Sequence, residues 1–170
     1  MLNRGGLNID YSDGFAMEEK YIAKYDFYIK QILDSDYIES ATRTIVDQAC
    51  GIDIYATIKE NVYGVSLRVR TSDFHSFTLS RHVNDQYSEI LKWVKQSQGI
   101  IKPAYHIQIN EGKHYFTITK IDVQEFSLHL NDLIHEGKLE SYYNTMLLAY
   151  EFRLSELTSN EAITKKIIYK

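Results

Sequence analysis

Several features are scarce in this chain of 170 residues, and each scarcity excludes a class of protein. A single cysteine, Cys50, rules out an internal disulfide framework and a cysteine-based zinc cluster, and it fits a reducing compartment. The N-terminus lacks the apolar stretch of a signal peptide, and no apolar run reaches the roughly 18 residues that predict a membrane span. We therefore expect a cytoplasmic protein that does not associate with membranes.

Basic residues are fewer than acidic residues. The chain has 19 lysines and arginines against 23 aspartates and glutamates, which gives a formal net charge of -4. Such a molecule weakly repels phosphate as a whole, so contact with nucleic acid requires a local basic patch. The apolar fraction of 44% is ordinary for a globular protein, and the length suits a single domain over residues 1–170.

Hydrophobic periodicity divides the chain into helices and strands. A loose arm is predicted over residues 1–13, and a frayed basic tail over residues 159–170. The order between them predicts an α+β or α/β fold in which helices flank a mixed central sheet. The predicted elements are helices over 15–33 and 37–49, a meander of strands over 52–58, 64–70 and 74–82, a helix from 84 to 99, a hairpin over 105–109 and 114–121, a helix from 122 to 137 and a strand over 146–154.

Two of the predicted strands carry polar side chains in a regular pattern. Asp53 stands near the start of the first strand, and Ser66, Arg68 and Arg70 alternate with apolar residues along the next. Because successive side chains of a strand point to opposite faces, these three share one face. The plain interpretation is a hairpin with a solvated face and a turn aspartate. The alternative is a phosphodiesterase centre at which carboxylates and basic side chains converge on a metal ion and a phosphate.

Further charged residues could complete such a centre. Glu18 lies on the apolar stripe of the first predicted helix and so faces the core, whereas Glu89 stands at the start of the helix that follows the meander. Arg81 could extend the basic face of Arg68 and Arg70 if the meander packs against that helix. The simpler interpretations are a first-turn acid beside the helix dipole for Glu18 and a capped amphipathic helix for Glu89.

Several motifs resemble those of one superfamily. GID, a glycine-containing strand that ends in an arginine pair, FTLSR, SEILK and YHIQI are similar to segments of small phage- and plasmid-borne proteins of the PD-(D/E)XK, or restriction-endonuclease-like, phosphodiesterases. The resemblance covers residues 15–121 and implies the core order helix, three strands, helix, strand. It also implies a nuclease that acts on DNA or RNA with Mg²⁺ or Mn²⁺ as cofactor. The implied roles are metal binding by Asp53 and Glu18, with Glu89 as a secondary candidate, catalysis by Asp53, Ser66 and Arg68, and phosphate binding by Arg68, Arg70 and Arg81.

The second strand departs from the pattern of this superfamily, which has an acid and, two residues later, a lysine. Here that spacing reads Ser66-Leu67-Arg68 or Arg68-Val69-Arg70. Serine is a poor substitute for a carboxylate, and arginine keeps its proton although it clamps phosphate well. Two functions therefore stay open. One is a metal-dependent nuclease, and the other is an inactive nuclease-like fold that binds nucleic acid or inhibits a nucleic-acid-binding protein. Exposed strand edges would permit a homodimer in either case.

Overall fold

A computed structural model describes residues 11–41, 51–71, 76–80, 89–94, 102–157 and 160–170 of the chain. The described residues form helices and strands in the order α1 (Tyr11–Leu33), β1 (Tyr37–Ser40), β2 (Ile54–Ile58), β3 (Asn61–Arg70), β4 (Ser76–Ser80), α2 (Glu89–Val94), β5 (Tyr105–Glu111), β6 (Tyr115–Asp122), α3 (Val123–His135), a 3₁₀ turn (Leu139–Tyr142), β7 (Tyr143–Asn144), β8 (Ala149–Arg153) and β9 (Ile163–Tyr169). Among them, no helix is long and apolar enough to cross a lipid bilayer.

The strands form two sheets. The central sheet has six strands in the order β1-β2-β3-β5-β6-β9, and the smaller sheet has the order β4-β8-β7. In the central sheet β3 and β5 are parallel, whereas the other neighbours are antiparallel. The connection from β3 to β5 contains β4 and α2, as a parallel pair requires a long crossover. The predicted α+β architecture with a mixed central sheet is therefore confirmed.

Helix α1 covers one face of the central sheet. Its apolar residues recur at steps of three and four, so they form one stripe, and that stripe is buried against strands β1, β2, β3, β5 and β6. The helix predicted over residues 15–33 is confirmed and begins earlier, at Tyr11. The buried residues of the stripe are Ile22, Tyr25, Ile29, Ile32 and Leu33.

Helices α2 and α3 and the smaller sheet form a second core. Asp122 caps α3, because its carboxylate accepts a hydrogen bond of 3.0 Å from the backbone N–H of Glu125. The helix ends before Gly137, whose φ of 68° suits a residue without a side chain. The predictions of α3 and of the β5–β6 hairpin are both confirmed. Large members of the second core are Phe77, Leu79, Trp93, Phe126, Leu130 and Phe152.

Two predicted elements are wrong in the region before β5. The helix predicted over 37–49 begins instead as strand β1, where Ile38 pairs with Ala56 and is buried against α1; residues 42–49 lie outside the described residues. The predicted meander is wrong in its third strand, because β4 pairs with β8 rather than with β3. Strand β5 occupies the edge of β3 that the meander would have used.

The C-terminal segment is also more ordered than predicted. The frayed tail over 159–170 is wrong for residues 163–169, which form β9 and pair with β6 from Ile163↔Ile121 to Tyr169↔Tyr115. Lysines 165 and 166 are exposed on this edge strand, and such charges are common on strand edges that must not pair further. The predicted N-terminal arm lies outside the described residues up to residue 10, and residues 11–13 belong to α1.

Candidate functional site

A cleft of about 350 Å³ lies between α1, Asp53 and strand β3. Glu18 of the helix and Asp53 of the segment before β2 both line it, so two acidic residues that are remote in sequence border one cleft. The sequence pattern predicted both of these residues for the site but not Met17, Tyr21, Leu67 or Val69. The signal for Tyr21 was its position one helical turn after Glu18. The complete lining is Met17, Glu18, Tyr21, Asp53, Leu67, Arg68 and Val69.

Asp53 occupies a fixed position where the pairing of β2 and β3 ends. Its backbone N–H donates to the carbonyl of Val65 at 2.9 Å, and its carboxylate accepts from the backbone N–H of Leu67. Ile52 lies against Gly64, where a Cβ would come within 2.5 Å of the Ile52 side chain. The absence of a side chain at Gly64 therefore allows Ile52 to pack there, immediately before Asp53.

Arg68 lines the cleft, but its guanidinium lies on the opposite face of the sheet. There Nη2 forms an ion pair of 3.0 Å with Glu89 Oε1, and Nη1 donates to the carbonyl of Thr78 at 2.7 Å. Glu89 in turn accepts from the backbone N–H of Ser80 at 2.5 Å. Glu89 therefore ties β3 to β4 and α2, and the structure does not bring it together with Asp53 and Glu18.

Ser66 also faces away from the cleft. Its hydroxyl oxygen lies 2.5 Å from Nδ1 of His106, which is the neighbouring residue on β5. Burial, and secondarily the charge of Arg68, lowers the pKa of His106 from 6.5 to about 3. A histidine with such a pKa is neutral at pH 7 and is a weak general base. The Ser66–His106 pair is therefore part of the packing between the sheets rather than a nucleophile with its base.

Arg70 approaches the same threonine as Arg68, with Nη2 at 3.4 Å from Thr78 Oγ1. Burial, together with the positive charge of Arg68, lowers the pKa of the Arg70 guanidinium. Arg81 lies outside the described residues. The predicted phosphate-binding face is thus represented by two guanidinium groups near Thr78, on the face of β3 opposite to the carboxylate cleft.

The donor chemistry of the cleft suits a hard divalent cation. Mg²⁺ in proteins is commonly held by one or two carboxylates, and water and substrate phosphates complete its coordination. Glu18 and Asp53 supply two such carboxylates. Within the described residues no group of three or more histidine, cysteine, aspartate or glutamate side chains could hold a metal ion. Two carboxylates are fewer ligands than a closed structural metal site uses, so the donor set of the cleft would match only an open site at which Mg²⁺ or Mn²⁺ keeps water or substrate ligands.

Comparisons of the chain with protein-family models, with curated proteins and with solved structures yielded no match.

Proposed function

We propose that the protein is a metal-dependent nuclease that binds Mg²⁺ or Mn²⁺ and a nucleic-acid phosphate at the cleft between α1, Asp53 and β3. The observation that carries this proposal is the convergence of Glu18 and Asp53 on one surface cleft. In this reading, the two carboxylates hold the ion. The hydrogen bond from the N–H of Leu67 orients the Asp53 carboxylate, as outer partners commonly do for metal ligands. Bound there, the ion would activate water and offset the charge that develops on the phosphate.

The order of the elements supports the same proposal only in part. Helix α1, the antiparallel strands β1 to β3, helix α2 and the parallel strand β5 resemble the order helix, three strands, helix, strand of the restriction-endonuclease-like phosphodiesterases, but β4 is an additional strand between β3 and α2. Asp53 precedes the second of these strands. A fold of this kind hosts many functions, so the order supports a nuclease only in combination with the carboxylate cleft.

Isothermal titration calorimetry with Mg²⁺ and Mn²⁺ tests the metal site. Asp53→Asn keeps an oxygen that can accept from the N–H of Leu67, and Glu18→Gln keeps the size of the side chain. We expect each change to weaken metal binding at least about tenfold, because a charged ligand is lost. Glu19→Gln is the matched control, since Glu19 is exposed and does not line the cleft. Equal weakening by all three changes would exclude this site.

Cleavage assays then test the activity. Single- and double-stranded DNA and RNA should be cut in the presence of Mg²⁺, and EDTA or Asp53→Asn should abolish the cleavage. Undiminished cleavage by the Asp53→Asn protein would contradict the assignment.

A second function is favoured by the positions of Ser66 and Arg68. Both stand where the superfamily has its acid and lysine, yet they bind His106 and Glu89 on the face opposite to the cleft. On this reading the protein holds nucleic acid, or a nucleic-acid-binding protein, without hydrolysing a bond. Binding of labelled DNA or RNA that persists in EDTA and in the Asp53→Asn protein, without cleavage, would favour this function over the nuclease.

A further inference from the structure

The hairpin of β7 and β8 carries an exposed apolar tip. Asn144 pairs with Ala149, so residues 145–148 form the loop, and three consecutive apolar side chains, Met146–Leu148, project from it. Their exposed fractions are 90% for Met146, 45% for Leu147 and 64% for Leu148. Single exposed apolar residues are common, but consecutive ones at a loop are unfavourable unless another molecule covers them.

The tip is held in one conformation. Oδ1 of Asn144 accepts from the backbone N–H groups of Met146 and Leu147 at 3.0 and 3.2 Å, and Nδ2 of Asn144 donates to Glu151 at 2.7 Å. Leu148 has a φ of 51°, a left-handed conformation that costs a branched side chain on the order of 1 kcal/mol.

A polar groove of about 550 Å³ adjoins this tip. Hydrogen bonds from Asn144 and Ser76 lower the pKa of Glu151, so its carboxylate stays ionised, and a carboxylate has lone pairs for further donors. Glu156 is exposed, and its Oε1 lies 3.7 Å from Nη1 of Arg153. A surface ion pair of this kind contributes little to stability. The lining residues are Ser141, Tyr142, Tyr143, Asn144, Thr145, Glu151, Arg153 and Glu156.

We propose that the tip Met146–Leu148 and this groove form one docking surface for a segment of a partner protein that carries aliphatic side chains next to arginine or lysine. The tip supplies apolar area, and the two carboxylates of Glu151 and Glu156 outnumber the one cation of the groove, Arg153, so the groove complements a positive charge. The groove carboxylates and the net charge of -4 disfavour an anionic membrane as the alternative occupant. The surface is separate from the carboxylate cleft, and the proposal does not depend on the nuclease activity.

Two synthetic peptides test the proposal. One alternates leucine and arginine, and its matched counterpart has glutamate in place of arginine. We expect the arginine peptide to shift the amide resonances of residues 141–156 of the ¹⁵N-labelled full chain in a saturable manner, and the glutamate peptide to leave them unchanged. Met146→Ser and Glu156→Gln should each weaken the arginine peptide about fivefold or more. Leu128→Ser and Glu161→Gln, which alter exposed residues away from the groove, are the controls.

Three outcomes would overturn the proposal. The first is equal affinity for the two peptides, and the second is the absence of saturable shifts at the tip and groove. The third is co-sedimentation with phosphatidylserine vesicles that Met146→Ser abolishes, because it would assign the tip to a lipid surface. Both substituted residues are exposed, so the amide spectra of the variants should remain dispersed and report binding rather than unfolding.

Discussion

One face of the central sheet buries apolar side chains and the other buries polar ones, and strand β5 contributes to both faces. Ile107 and Ile109 point to α1 and pack in an apolar cluster, whereas His106, Gln108 and Asn110 point to the smaller sheet. All five side chains are buried. Alternation of polar and apolar residues therefore indicates which residues share a face of the sheet, but it does not indicate that the polar face is exposed to solvent.

The polar face gains less from its burial than the apolar face does. Nε2 of Gln108 donates to the carbonyl of Ser76 at 2.7 Å, and Nδ2 of Asn110 donates to Thr117 at 3.4 Å. Other atoms of this layer, including His106 Nε2 and Gln108 Oε1, have no hydrogen-bond partner in the described part of the chain. A buried polar atom without a partner costs about 1–3 kcal/mol. We therefore infer that α1 stabilises the sheet more than the polar layer does.

Adjacent substitutions on β5 test that inference, and the apolar one should have the largest effect. Ile107 is fully buried against α1, so Ile107→Ala removes apolar contacts and leaves a cavity. We expect the free energy of unfolding to fall by about 3 kcal/mol. Urea denaturation measures it, and Ile107→Val at the same position should lose about 1 kcal/mol.

Gln108→Leu is the counterpart on the polar face. It removes an acceptor without a described partner but leaves the carbonyl of Ser76 and Oδ1 of Asn110 without their donor. These effects oppose each other, so we expect the free energy of unfolding to stay within about 1 kcal/mol of the wild type. A loss at Gln108 as large as that at Ile107 would contradict the difference between the faces.

The Arg68–Glu89 ion pair is the exception on the polar face, and we expect an effect there that is smaller than that of Ile107→Ala but larger than that of Gln108→Leu. Arg68→Met removes one partner and leaves the carboxylate of Glu89 beside β4, which should cost about 2 kcal/mol. A double-mutant cycle with Glu89→Gln should give a coupling energy of about 1–2 kcal/mol. The matched cycle on Asp26 and Lys30, a more exposed pair on α1, should give less than about 0.5 kcal/mol. Equal coupling in both cycles would show that the polar layer behaves as surface.

Local patterns in the sequence predicted the elements whose stabilising contacts are local or periodic. The stripe of α1, the Asp122 cap of α3 and the β5–β6 hairpin all follow from spacing along the chain. The partner of β4, the strand β1 and the edge strand β9 depend on pairing with distant segments, which spacing does not encode. Periodicity alone therefore could not show that β4 and β8 lie over the polar face of β3.

The same difference between local patterns and distant contacts applies to the candidate site. The stripe of α1 predicted that Glu18 faces the core, and in the structure Glu18 is half-buried and lines one cleft with Asp53. Alternation correctly placed Ser66 and Arg68 on a common face, but it could not identify their partners. Those partners, His106 and Glu89, come from β5 and α2 and hold both side chains on the face opposite to the cleft.

The polar face, unlike the apolar face, should also make stability depend on pH, because it buries His106. The pKa of His106 is lowered from 6.5 to about 3, chiefly by burial and secondarily by Arg68, so below pH 6.5 the unfolded chain binds a proton that the folded chain rejects. The free energy of unfolding is therefore unaffected by this residue above pH 6.5, and it decreases as the pH falls from 6.5 towards 3. The loss approaches a slope of about 1.4 kcal/mol per pH unit.

Urea denaturation between pH 5 and 7 should show this slope in the wild type and not in His106→Gln, and the difference between the two proteins cancels the titration of the other histidines. Identical slopes would mean that His106 takes up a proton in the folded state, and that the polar layer is open to water.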